Sequence, residues 1–114
     1  MDKEVKEQPQ SLEAESSVLG SIILKGEEIF DKVMPWIRDD SAFYSNDNKL
    51  IWQAIKELRS ERKAIDLVTI TNIIKDRSKN KGITYYLSGL PSLIATTGNV
   101  ESHARIIWEK YVKR

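Results

Sequence analysis

A chain of 114 residues, 40% apolar and 31% charged, has the makings of one soluble domain with a single modest core, and no stretch approaches the ~18 apolar residues of a membrane span. The absence of cysteine excludes disulfides and thiolate metal sites, and the lone His103 cannot build an imidazole cluster. Net charge is +1 but unevenly spread: residues 1–40 hold ten acidic and five basic side chains, the remainder seven and thirteen, a polarity suited to charged partners or head-to-tail self-association.

Residues 1–8, MDKEVKEQ, are too charged for a signal peptide and read as a flexible arm closed by Pro9, which makes a cytoplasmic protein the default expectation. A helix follows from Ser11 to Leu24, with Leu12, Ser16, Leu19 and Ile23 on one stripe beside Glu15, Val18 and Ile22. Ser11 suits the N-cap, and Glu13 and Glu15 lie near the positive end of the helix dipole. Gly20 inside that helix implies close packing by another element, and Gly26 makes the turn. A second helix from Glu27 to Met34 buries Ile29, Phe30 and Val33 until Pro35 interrupts it, with Trp36 and Ile37 carrying the apolar face onward. Arg38–Ser45 is a loop anchored by Phe43 and Tyr44.

The stretch Asn46–Leu58, NDNKLIWQAIKEL, reads as the central helix. Leu50, Ile51, Ala54, Ile55 and Leu58 form a broad apolar stripe, and Ser45 or Asn46 can cap its start. Trp52 sits off the stripe's centre, either a wedge into a second layer of packing or part of a contact surface. After the connector Ser60–Ile65, Asp66 or Thr69 caps a helix carrying Ile70, Ile73 and Ile74. Arg77–Gly82, RSKNKG, is a turn. Ile83, Tyr86, Leu87 and Leu90 make a short helix stopped by Pro91. From Asn99 to the end, Val100, Ala104, Ile107 and Tyr111 form a core stripe flanked by Trp108 and Val112. Ile106 falls nearly opposite, among Ser102, Glu109, Lys110 and Lys113. With no sustained alternation and no repeat, the expectation is an all-α, compact multi-helix orthogonal bundle. Its core is expected to place Leu50, Ile51, Ile55 and Leu58 among Leu12, Leu19, Ile73, Ile74, Leu87 and Ile107.

Chemistry is sparse. There is no Gly-x-x-x-x-Gly-Lys-Ser/Thr phosphate loop, and the adjacent pairs Glu27-Glu28 and Asp39-Asp40 do not face each other on a helix. No serine or carboxylate near His103 in sequence suggests a triad. Lys56, Arg59, Arg62 and Lys63 are candidate phosphate contacts, but with no base-reading pattern beside them a solvated face is the better reading.

Four stretches together, PQSLEAESSVLGSIIL (9–24), FYSNDNKLIWQAIKEL (43–58), IDLVTITNIIKDR (65–77) and GNVESHARIIWEKYVKR (98–114), resemble the N-terminal domain of DnaB-type replicative helicases. Each motif alone is weak; their order and spacing across nearly the whole chain are specific. Asn48 stands where that family often has histidine, and Pro91, Ile94 and Ala95 depart from its usual run. The resemblance implies a non-catalytic collar domain, residues 9–114, that pairs subunits of a hexameric DNA helicase and recruits the primase C-terminal domain or a helicase loader. Direct DNA binding would be weak or absent. It implies no cofactor here, with ATP and Mg2+ confined to a motor domain beyond Arg114, and a final helix that is the first arm of a pairing hairpin. The residues assigned to partner binding are Ile106, Trp108, Lys110, Lys113 and Trp52. A free-standing accessory protein that mimics the collar is the alternative.

Overall fold

In the computed structural model, which describes residues 10–114, side-chain caps set where three of the helices begin. The Ser11 hydroxyl accepts from the Ala14 N–H at 3.2 Å and opens α1 (Leu12–Lys25). Ser45, rather than Asn46, does the same for α3 (Asn46–Ser60) through the Asn48 N–H at 3.2 Å. At α4 (Leu67–Ile74) both candidate caps act together: the Asp66 carboxylate accepts from the Thr69 N–H, and the Thr69 hydroxyl accepts from the Asp66 N–H. The other helices are α2 (Glu27–Val33), α5 (Ile83–Gly89) and α6 (Val100–Lys113). Short 3-10 turns cover Met34–Trp36, Asp40–Ala42 and Pro91–Leu93, and the described residues contain no strand. The expected arm over residues 1–8 lies outside the described residues.

Two glycines sit where a side chain would not fit. Gly26 adopts a positive φ of 74°, closed to most side chains, and its N–H reaches the Ile22 carbonyl, so α1 ends and α2 starts on one residue. Gly20 meets the predicted close approach: a Cβ there would stand 2.7 Å from the Leu90 carbonyl oxygen, because α1 lies directly on the Pro91–Leu93 turn.

Helix α1 packs along α6 and also touches α2, α3 and the Pro91–Leu93 turn, while α3 carries α4 and α4 carries α5. The centre is therefore an α1–α3 pair rather than α3 alone. Ile51, Ile55, Leu58, Leu19, Ile74, Leu87 and Ile107 are buried as expected. Leu12 is not; it is 46% exposed at the first turn of α1. Leu50 and Ile73 are only half-buried. Of the loop aromatics, Phe43 is buried and Tyr44 is exposed. Trp52 is fully buried, its ring tilted between Phe30 and Phe43 with centroids 5.2 Å from each.

Candidate interaction surface

At 100° per residue, the side of α6 centred on Ala104 and Ile107 enters the core, and the opposite side carries Ser102, Arg105, Glu109, Val112 and Lys113, all exposed. Val112, expected to flank the core stripe, is 65% exposed and supplies the strip's apolar element. Ile106 and Trp108 border the strip on its two sides and are half-buried. Ile106 is thus not isolated on a polar face: it lines a hollow with Ser11, Glu13, Ala14 and His103, because the first turn of α1 leans against it. Trp108 rests on Tyr111, ring centroids 5.2 Å apart. Lys110 is half-buried and Lys113 exposed.

The rim of this face is fixed by the two 3-10 turns after α2. The Arg105 guanidinium lies 4.1 Å over the Trp36 ring, whose indole N–H donates to Glu101. The Tyr111 hydroxyl donates to Asp39, and Arg114 donates to the Ser41 and Ala42 carbonyls. The Ser41 backbone N–H holds the Asp39 carboxyl below its ordinary range, against the opposing effect of desolvation and with help from Tyr111 and Lys49. Trp52 takes no part. Its assignment to partner binding is corrected by its burial: the flanking Phe30 and Phe43 close over it, and its indole N–H has no partner inside the core.

Two polar arrangements escaped sequence reasoning. The Glu15 carboxylate, 1% exposed, accepts from the Tyr44 N–H (2.7 Å), the Ser45 N–H (3.3 Å) and the Asn48 side-chain N–H (2.9 Å). The Tyr86 hydroxyl donates to the other end of Asn48, joining α1, α3 and α5. These donors, at the positive end of α3, take the place of a counter-charge. The only sequence signal was an acid beside an apolar stripe. Elsewhere, Ser17 Oγ lies 2.7 Å from His103 Nδ1, a serine brought to the histidine by α1 from 86 positions away. No carboxylate orients the other ring nitrogen among the described residues, so the pair ties α1 to α6 and lacks the third member of a triad. No group of three or more His, Asp or Glu residues is placed to hold a metal among the described residues.

The expected basic patch is largely cancelled. Lys56 pairs with Asp40 (2.6 Å), Arg59 with Asp31 and Glu27 (2.9 and 3.1 Å), and Lys63 with Glu61 (3.0 Å). The hydrogen bonds that Arg59 donates to Asp31, with the charge of that carboxylate, raise the Arg59 pKa; those that Arg77 donates to Glu57 lower the Glu57 pKa. Beside the patch a groove of about 570 Å3 runs between α2 and the second half of α3, lined by Met34, Pro35 and Ile37 with Arg38 at its edge. It can take apolar side chains; it presents no reacting group.

A family model described as the DnaB-like helicase N terminal domain matches residues 7–109. The chain is 36% identical over 108 residues to the replicative DNA helicase DnaB of Rhodothermus marinus, covering 93% of this chain and 11% of that protein. It is 34% identical to that of Geobacillus stearothermophilus, covering 93% of this chain and 23% of that protein. The crystal structure of the N-terminal domain of DnaB helicase from Mycobacterium tuberculosis superposes with a TM-score of 0.84 at 30% identity, covering 93% of this chain and 76% of that one. The chain therefore spans about a tenth to a quarter of the curated relatives it matches.

Proposed function

The chain belongs to the DnaB-like helicase N-terminal domain family, and on that premise we propose that it is the non-catalytic collar of a hexameric replicative DNA helicase. In this reading the collar pairs helicase subunits through α6 and the chain that continues it. It offers its outer surface to the C-terminal domain of a primase, and to a helicase loader, during cytoplasmic DNA replication. ATP and Mg2+ act only in the motor domain of the longer protein.

The observation that supports this most is the form of α6. One side is locked into the core by Ala104 and Ile107, while the other presents Val112 between Ile106 and Trp108 with charged residues around them. An aspartate placed at Ile106 would put a carboxylate in place of an apolar side chain and would lose its water on entering a paired interface. In a protein extended past Arg114, Ile106→Asp weakens self-association or primase capture about tenfold or more and leaves the helical signal intact. Sedimentation mass analysis, with and without a primase C-terminal domain, measures it. Unchanged association in both removes this face from the interface. A gene that stops without a phosphate-loop ATPase makes the chain an accessory protein that mimics the collar.

A further inference from the structure

Three cations to which the sequence draws no attention stand together without partners. Lys75, Lys79 and Lys81 line one hollow of about 550 Å3 at the connection between α4 and α5, together with Ser78, Asn80 and Thr84. None of the three ammonium groups has an ion-pair or hydrogen-bond partner among the described residues. Two carboxylates near the connection are taken by other groups. Asp47 accepts from the neutral Asn80 side chain at 2.7 Å, and Glu57 is held by both terminal nitrogens of Arg77 at 2.8 and 3.1 Å. Asp76, on the same turn, is exposed and does not line the hollow.

The turn is also rigidly built. Ser78 Oγ accepts from the Asn80 N–H, and Asn80 Oδ1 accepts from the Gly82 N–H, so the lysines project from a backbone fixed by its own polar side chains. Tyr85, directly after Thr84, is 85% exposed, more than any other large apolar or aromatic side chain of the described residues.

We propose that this connection, with Lys75, Lys79 and Lys81 around the hollow and the exposed Tyr85 one residue on from Thr84 of its lining, is a weak contact surface for the phosphate backbone of single-stranded nucleic acid. Three unpaired ammonium groups among hydroxyl and amide donors suit phosphate oxygens. The exposed Tyr85 ring, on the first turn of the helix that follows the connection, gives a base a face to stack on, which a duplex, its bases already stacked, does not use. An acidic polypeptide would use the lysines and leave Tyr85 idle.

The test uses the 114-residue chain and a fluorescein-labelled oligothymidylate of about 15 nucleotides, read by anisotropy from about 20 to 150 mM salt. Binding is expected at the low end and lost at the high end, with a log–log slope of about −2 for three phosphates. Lys79→Gln with Lys81→Gln lowers low-salt affinity about tenfold and flattens the slope by about 1.4. Lys56→Gln with Lys63→Gln changes net charge equally and leaves both nearly unaltered. Tyr85→Ala weakens binding at unchanged slope. Circular dichroism confirms that each variant is folded. No binding at low salt, equal losses in the two lysine pairs, or equal binding of polyglutamate with no effect of Tyr85→Ala would each overturn the proposal.

Discussion

Replacing Glu15 by alanine removes the acceptor on which three donors converge. The buried Asn48 amide and the half-buried Tyr44 and Ser45 N–H groups would lose a carboxylate that is only 1% exposed. An unsatisfied buried donor costs about 1–3 kcal/mol, and water entering the space vacated by the carboxylate recovers part of it, giving about 3–4 kcal/mol in all. For 114 residues the unfolding entropy near the midpoint is about 0.24 kcal/mol per kelvin, so Tm should fall by about 12–17 °C. Glu15→Gln keeps one acceptor oxygen but turns an NH2 toward a donor, and should cost about half as much. Glu13→Ala, one residue pair away and exposed, should stay within about 1 kcal/mol. Thermal unfolding followed by circular dichroism gives the three values. Hydrogen exchange should speed up first at Tyr44 and Ser45, where α3 begins. A Glu15→Ala variant melting within about 3 °C of the parent would refute the claim that this carboxylate clasps α1 to α3.

Ile55, fully buried on α3, should cost about 2–5 kcal/mol as alanine, and an unchanged melting temperature would remove α3 from the core. The Glu57–Arg77 pair makes a pH-dependent contribution. Because Arg77 lowers the Glu57 pKa in the folded state, the stabilisation is complete above the unfolded carboxylate value and is lost as pH falls through the folded one. The difference in Tm between the parent and Arg77→Gln should therefore shrink on acidification; a difference independent of pH would contradict it.

The amino-acid sequence determined the helices, their caps and which residues point inward along most of each one, because those follow from a 3.6-residue period and from side chains bonding to backbone within three positions. Ser11, Asp66 and the Ile51–Ile55–Leu58 stripe were legible on that ground. So was the need for something to lie close on Gly20, though not that it would be the Leu90 carbonyl. The family resemblance of the four motifs likewise survived comparison with whole relatives. What a local period cannot show is which element covers a given face. Trp52 lay at the edge of its stripe and looked available until Phe30 and Phe43, brought from outside α3, enclosed it. Leu12 matched the stripe of α1 yet stays 46% exposed, on the wall of a hollow that it shares with Leu93 and Ile94. Charges obey the same limit more severely. Lys56 and Arg59 met acids 16 to 32 positions away, whereas the lysines of RSKNKG met none, and Asn80 and Arg77 had taken Asp47 and Glu57. Glu15 found its donors 29 to 33 positions away. The strength of an ion pair or buried hydrogen bond falls off over a few ångströms of space, and only the tertiary packing of α1, α3 and α5 converts sequence separation into that distance.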